Sequence, residues 1–207
     1  DTAGVRVIGL GTGDQRPTIT LNTANTADID IDAANITFEN LVFVANFLDI
    51  AAAIDVNAAG FTARNCEFRD TSTILNALIW IVGAADNDSP RIRVLNCEFF
   101  AIGAANTHAV SLPGTSDRCV IADCYINGFF ETAAIGAAGA VTQISILRNF
   151  IRNSDTDADA CINLAASSTG IIAYNSVGAA LAADATTNIT ASTGVVLIEN
   201  YSVDTGD

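Results

Sequence analysis

The sequence contains no lysine and no methionine, and only one histidine and one tryptophan. All nine basic residues are arginines, against 23 Asp and Glu residues, so the net charge is −14. A surface this acidic repels phosphate backbones, and we expect no nucleic-acid partner. No apolar run approaches the roughly 18 residues that a membrane span requires, and no basic-then-apolar signal pattern opens the chain. We therefore expect no membrane partner.

A short motif recurs along the chain. The tetrapeptide Asn-Cys-Glu-Phe at 65–68 returns at 96–99, and weaker copies follow. An Asn or Asp anchors each copy, at positions 40, 65, 96, 123, 149, 175 and 200, so successive copies start 25 to 31 residues apart. A period of this length is typical of a solenoid, in which each repeat buries its apolar face against its neighbours.

A second family of short apolar segments lies between these copies. Its members are residues 29–31, 54–56, 79–81, 110–112, 135–137, 162–164 and 189–191. Each coil then contains this strand, a turn, and the strands before and after the anchor. Apolar residues alternate with other residues along each strand, which gives the strand an inner and an outer face. The sequence predicts an all-β, single-stranded parallel β-helix of about seven coils.

The chain divides into two parts. Residues 1–27 read as a first, incomplete coil that caps the helix, and residues 28–207 as its continuous repeats. Because the sequence starts at Asp1 without a methionine, we expect it to be a piece of a longer protein.

The residue types around the anchor indicate a stacked bend. Asn and Asp tolerate the left-handed backbone region that a sharp bend requires, and stacked Asn side chains can bond from coil to coil. The residue after the anchor and the residue two further on are predicted to face inward, the cysteines as small buried apolar groups rather than disulfides or metal ligands. This structural ladder comprises Asn40, Asn65, Asn96, Asp123, Cys66, Cys97, Cys124, Phe43, Phe68 and Phe99.

The outer face beside the second strand family is predicted to be apolar. Small and apolar residues there, including the only tryptophan, are typical of an interface. The alternative is that loops of the same chain cover them. The predicted outward residues are Ala53, Leu78, Trp80, Val82, Ala109 and Ala134.

The Asn-Cys-x-Phe repeat with its preceding strand resembles the pectate-lyase-like superfamily of right-handed parallel β-helices. It is closest in character to the tailspike, fibre or capsid-decoration domains of bacteriophages. The resemblance covers residues 28–203 and implies the fold, but its members include both enzymes and structural proteins.

The catalytic residues that the resemblance implies are incomplete. Lyases of this type use a calcium-binding carboxylate cluster and a basic residue. Here Asp28, Asp30, Asp32 and Asp55 gather at one end without a nearby base. Galacturonases need paired Asp residues, a His and an Arg-x-Lys, whereas this chain has only His108 and no lysine. We therefore expect no enzymatic activity.

Two acidic loops match calcium ligands only weakly. Alternating carboxylates on a turn can bind Ca²⁺, but both loops lack the glycine and terminal glutamate of an EF-hand, which favours solvated turns. We expect no other cofactor. The residues concerned are Asp86, Asp88, Asp155, Asp157 and Asp159.

These features predict a non-enzymatic structural protein of a virion, such as a fibre, spike or capsid-decoration domain. We expect it to form a homo-oligomer, preferably a trimer, or to bind other virion proteins, and to be located on the virion or outside the cell. One alternative is a polysaccharide-degrading or glycan-binding protein that uses Asp30, Asp55 and Trp80, with the indole stacking on a sugar. The other is a secreted surface or adhesin module.

Overall fold

The computed structural model describes residues 2–22, 28–47, 50–71, 78–85, 91–103, 106–156, 160–180 and 188–204. Within these ranges all regular elements are β-strands except one 3-10 turn at Gly13–Gln15. No helix there is long and apolar enough to cross a membrane.

The described strands form three sheets. Sheet A contains β1 (Arg6–Ile8), β4 (Thr37–Glu39), β7 (Thr62–Arg64), β10 (Arg93–Leu95), β13 (Val120–Ala122), β16 (Ile144–Leu147), β19 (Thr169–Ala173) and β22 (Gly194–Ile198). Sheet B contains β2 (Thr18–Leu21), β5 (Val42–Ala45), β8 (Glu67–Asp70), β11 (Glu98–Ala101), β14 (Tyr125–Gly128), β17 (Phe150–Asn153), β20 (Ser176–Ala179) and β23 (Tyr201–Asp204). Sheet C contains β3 (Ile29–Ile31), β6 (Ala52–Val56), β9 (Leu78–Gly83), β12 (Asn106–Ser111), β15 (Ile135–Ala137), β18 (Ile162–Leu164) and β21 (Ile189–Thr190).

All pairings between these strands are parallel, and each strand pairs with the equivalent strands one coil before and one coil after it. Three short strands per coil enclose one continuous apolar core. The predicted all-β parallel solenoid with three strands per coil is therefore confirmed. The strands β1 and β2 of the predicted first coil extend sheets A and B at one end.

The corner between sheets A and B is a left-handed bend in every repeat from Asn40 onward. Asn40, Asn65, Asn96 and Asp123 all have a φ between 52° and 58°. An amide ladder crosses part of this corner, because Asn96 Nδ2 donates to Asn65 Oδ1 at 2.8 Å. The first four predicted anchors therefore occupy the bend, which Asn and Asp tolerate better than most residues.

The last three predicted anchors lie one residue beyond the bend. In those coils the positive φ belongs to Arg148, Tyr174 and Glu199. Asn149 and Asn175 instead point into the core, where the register places them above Cys124. The prediction that positions 149, 175 and 200 form the bend is wrong, because the repeat unit is one residue out of step there.

These displaced asparagines form a second, inner ladder. Asn149 Oδ1 accepts a hydrogen bond from Cys124 N at 2.9 Å, and Asn175 Oδ1 accepts one from Asn149 N at the same distance. Asn200 Oδ1 accepts from Asn175 Nδ2 at 2.9 Å. The ladder thus satisfies buried polar groups over four successive coils.

Aromatic rings stack in the core of the N-terminal coils. The Phe43 and Phe68 rings lie 4.9 Å apart and nearly parallel, and Phe68 and Phe99 lie 4.6 Å apart. Cys66 and Cys97 are buried beside this stack, and the five cysteines of the chain are all free and buried. The equal coil spacing brings equivalent side chains to stacking distance.

The predicted outward face of sheet C is wrong. The side chains of Ala53, Leu78, Trp80, Ala109 and Ala134 are fully buried in the core. They therefore leave no apolar outer face in this position, and only Val82 of the predicted set lies half-buried on the outer surface.

A bend in the strands of sheet C causes this difference. Ala109 N and Val110 N both donate to Ala134 O, so the chain bends and two consecutive side chains point inward. The neighbouring coil has the same feature, because Trp80 and Ile81 are consecutive and both buried. Strict alternation does not describe a bend of this kind.

Candidate functional site

The outer face of sheet C carries a carboxylate cluster at its N-terminal end. One carboxylate oxygen from each of Asp28, Asp30 and Asp55 lies within 4.8 Å of the others, because Asp30 and Asp55 are register partners in β3 and β6. Three carboxylates at this separation could share a hard cation through oxygen ligands.

Trp80 does not join this cluster. Its indole is fully buried and its ring centroid lies 5.8 Å from that of Phe68. The position beside Asp55 in the next coil is occupied by Val82 instead. The sugar platform predicted from Asp30, Asp55 and Trp80 is therefore not assembled.

Burial and the neighbouring carboxylates both disfavour the charged form of Asp55. Partial burial, and then the charges of Asp30, Asp28 and Asp32, raise the pKa of Asp55 above its ordinary value. Asp32, which lies beside the cluster, has a neutral partner, because Asn57 Nδ2 donates to Asp32 Oδ1 at 3.2 Å. No described arginine forms an ion pair with Asp55.

Replacing Asp55 by asparagine is expected to raise the melting temperature at pH 7 in the presence of EDTA, by about 1–3 °C. The amide keeps the shape of the side chain and removes one of the repelling charges. Because the raised pKa favours the protonated form in the folded state, the difference from the wild type should shrink as the pH falls towards that pKa. Differential scanning calorimetry at pH 7 and pH 4.5 measures both effects.

The control is Asp14→Asn, at a carboxylate outside the cluster. An equal gain in both variants would show that net charge, rather than the cluster, limits stability. Added Ca²⁺ that stabilises the wild type but not Asp55→Asn would show that the cluster holds a cation.

His108 is placed as a structural residue. Its ring lies over Gly136 of the next coil, where a Cβ would come within 2.4 Å of Nε2. Burial lowers the pKa of His108 to about 4, so the ring is neutral at pH 7. Its Nδ1 has no hydrogen-bond partner within the described residues. It lacks the orienting partner that a general base usually has.

The acidic loops fall mostly outside the described ranges. Asp86, Asp88, Asp157 and Asp159 are not among the described residues. Asp155 is described, and its backbone N donates to Asn153 Oδ1 at 3.2 Å. The weak calcium sites predicted in these loops remain predictions.

A polar groove of about 430 Å³ follows the corner between sheets A and B. We call it the corner groove. It brings together amides, carboxylates and one exposed aromatic ring from four successive coils. The sequence pointed to some of these residues only as a structural ladder, and the groove itself was not predicted. Its principal polar lining is Asn40, Asn65, Asn96, Glu98, Asp123 and Tyr125.

The outer face of sheet A changes character along the rod. In the N-terminal coils it is charged, and Arg6 pairs with Glu39 across neighbouring strands. From β10 onward most outward positions are apolar, and the polar ones are Arg93, Ser145 and Thr169. We call this surface the apolar stripe; it comprises Leu95, Val120, Leu147, Ile171, Val196 and Ile198, whereas Ala122 and Ala173 in the same columns are buried.

The outer face of sheet B carries exposed aromatic rings. Tyr125 and Phe150 stack face to face with centroids 5.2 Å apart, and Phe100 contacts Tyr125 at 5.8 Å. Arg69 and Arg152 lie exposed on the same face. Aromatic residues and arginine are enriched at protein interfaces.

No known protein family, curated protein or solved structure matches this chain. The β-solenoid therefore rests on the architecture of the chain itself. The relation to the pectate-lyase-like superfamily and to phage β-helices remains a prediction from the repeat.

Proposed function

We propose that this chain is a non-enzymatic structural module that assembles with other chains through the outer face of sheet A. The observation that carries the proposal is the apolar stripe, which continues over five coils. Coils stack about 4.8 Å apart, so the stripe is about 20 Å long. A contiguous apolar surface of this length on a water-exposed sheet is typical of an interaction site.

The stripe is accessible in the isolated chain. Val196 is 57% exposed, and Leu147 and Ile171 are half-buried on the outer face rather than packed in the core. The charged N-terminal half of the same sheet, with Arg6 and Arg64 exposed, favours contact with water. The contrast between the two halves supports one docking surface of limited extent.

A phage fibre, spike or capsid-decoration domain is the class of structural module that we propose. The acidic, lysine-free composition favours an extracellular or virion location, and the solenoid supplies a stiff rod in which each coil contacts only its neighbours. A parallel homotrimer, or contact with other virion proteins, would cover the stripe.

The test is self-association of the wild type and of Leu147→Glu, measured by sedimentation velocity over a wide concentration range. We expect the wild type to associate and the variant to remain a folded monomer, because a carboxylate in the centre of the interface must be desolvated without a partner. Thr62→Glu, on the charged half of the same sheet, should associate like the wild type. A wild type that stays monomeric, or a Leu147→Glu variant that associates equally well, would contradict the proposal.

Glycan binding is the second candidate, and the corner groove favours it. Amide groups, carboxylates and the exposed Tyr125 ring offer hydrogen bonds and a stacking surface for a sugar. Binding of the wild type to an oligosaccharide array, together with a monomeric state in solution, would favour this candidate over assembly.

A further inference from the structure

From β14 to β23, aromatic residues occupy equivalent outward positions in successive strands of sheet B, except in one strand, where the position holds a serine. Tyr125 and Phe150 occupy this position in successive coils, with rings parallel to within 4°. The next position in register is Ser176, and the one after it is Tyr201. Phe150 is 45% exposed and Tyr201 66% exposed, so an open gap lies between them with the small Ser176 side chain as its floor. We call this gap the aromatic slot.

The width of the slot fits one ring. Parallel strands lie about 4.8 Å apart, so two coils separate the Phe150 and Tyr201 strands by about 10 Å. Stacked rings elsewhere in this chain have centroids 4.6 to 5.2 Å apart. One ring placed midway would therefore stack on both walls at the spacing that the chain already uses. Gly178, the other outward position of the same strand, adds no side chain to obstruct it.

A candidate ring lies exposed in the same coil. Tyr174 occupies the corner two residues before Ser176, and its side chain is 51% exposed. It makes no ring contact with any other described residue. Its φ of 60° is uncommon for a bulky side chain, whereas asparagine occupies the same corner at Asn65 and Asn96. The same corner holds Arg148 one coil earlier and Glu199 one coil later, so the fold does not require a ring at this position.

We infer that Tyr174 of one copy of the chain inserts into the aromatic slot of a neighbouring copy that lies parallel to it. Tyr174 and Ser176 belong to one coil and lie at one height along the rod. Rotation about an axis parallel to the rod preserves height, so any cyclic arrangement of parallel copies can bring the ring level with the slot. An antiparallel pair matches these heights only if this coil lies at the centre of the contact.

The inference rests on the proposed assembly and identifies the partner as a second copy of this chain. Tyr174 directly follows Ala173, whose register partners Leu147 and Ile198 belong to the apolar stripe. Ser176 begins β20 on the other side of the corner. A contact at this corner would therefore bury the edge of the stripe together with the slot. The inserted ring provides the aromatic anchor in a pocket that is typical of strong interfaces.

Two substitutions test the contact from its two sides. Tyr174→Asn removes the ring and introduces the residue that earlier coils use at this corner, so the variant should fold. Ser176→Phe supplies the missing ring from within the chain and leaves no room for the neighbour's ring. Both are expected to weaken self-association about tenfold or more in sedimentation velocity. Phe129→Ala, which removes a ring that is 39% exposed elsewhere on the surface, is the matched control and should associate like the wild type.

Thermal melting separates assembly from folding. Ser176→Phe should melt at or above the wild-type temperature at concentrations where both are monomeric, because the new ring stacks on Phe150 and Tyr201. A lower melting temperature would show that the slot is too narrow, and would overturn the inference.

The outcomes also distinguish this contact from the proposed function. Association that is weakened by Leu147→Glu but unchanged by Tyr174→Asn and Ser176→Phe would overturn the inference and retain assembly through the stripe. A wild type that does not associate would overturn both. Equal weakening by Phe129→Ala would show a general effect of surface aromatics, and would also overturn the inference.

Discussion

Replacing Phe68 by alanine is expected to lower the free energy of unfolding by about 4 kcal/mol. The ring is fully buried and lies between Phe43 and Phe99 at centroid distances of 4.9 and 4.6 Å. It also contacts Trp80 at 5.8 Å. Alanine would leave a cavity that the stacked neighbours cannot close without moving apart from their own coils. Urea unfolding followed by far-UV circular dichroism measures the loss.

Tyr125→Ala is the matched control, because Tyr125 also contacts two rings, Phe100 and Phe150. It lies on the outer face and is 39% exposed, so its removal leaves no cavity. We expect a loss of about 1 kcal/mol. Equal losses for the two variants would mean that stacking, rather than burial, stabilises the column.

Replacing Asn175 by alanine is expected to lower the free energy of unfolding by about 3 kcal/mol. Asn175 is fully buried and its Oδ1 accepts hydrogen bonds from Asn149 N and Nδ2 at 2.9 and 3.0 Å. Its Nδ2 donates to Ile146 O at 3.0 Å. The alanine variant leaves these groups buried without partners, which costs more than the bonds themselves contribute. The same unfolding measurement applies.

The outer ladder provides the comparison for this prediction. Asn96 is exposed and donates one side-chain hydrogen bond to Asn65. Asn96→Gly keeps a residue that tolerates the φ of 52° and removes only this bond. We expect a loss of at most about 1 kcal/mol. If Asn96→Gly were as damaging as Asn175→Ala, the distinction between the two ladders would be wrong.

The sequence was sufficient to predict the solenoid and its aromatic core. The Asn-Cys-Glu-Phe repeat gives Phe68 and Phe99 the same position in two adjacent coils, so one ring is expected to lie directly above the other. Period-two alternation then assigns Phe43, Phe68 and Phe99 to the inner face. These steps need no knowledge of the corners, and the structure agrees with them.

The register of sheet C could not be predicted in the same way. Two overlapping triplets, residues 79–81 and 81–83, both fit the apolar pattern of this strand. Only the pairing with Ile54 shows that Ile81, rather than Ile79, is the equivalent residue. The bend before Val110 makes two neighbouring side chains face inward. Strict alternation places one residue of two consecutive inward-facing residues on the surface. For this reason Trp80 and Ala109 were wrongly predicted to be exposed.

The candidate surfaces are formed by side chains that occupy equivalent positions in successive coils, and no short sequence motif marks them. Leu95 and Leu147 both precede a corner residue, so alignment of the repeats by corner rather than by asparagine would have revealed the apolar stripe. That alignment needs the φ values of Arg148, Tyr174 and Glu199. The aromatic slot also requires the register of sheet B, because it is defined by the absence of a ring at Ser176 between Phe150 and Tyr201.

The inner column of sheet B changes its chemistry midway along the rod. Below Cys124 it is thiols beside stacked phenylalanines, and above Cys124 it is hydrogen-bonded amides. Apolar burial weakens on cooling because its driving force is largely entropic, whereas amide hydrogen bonds do not share that dependence. We therefore expect cooling to weaken the packing around Phe43, Phe68 and Phe99 more than it weakens the amide ladder from Asn149 to Asn200.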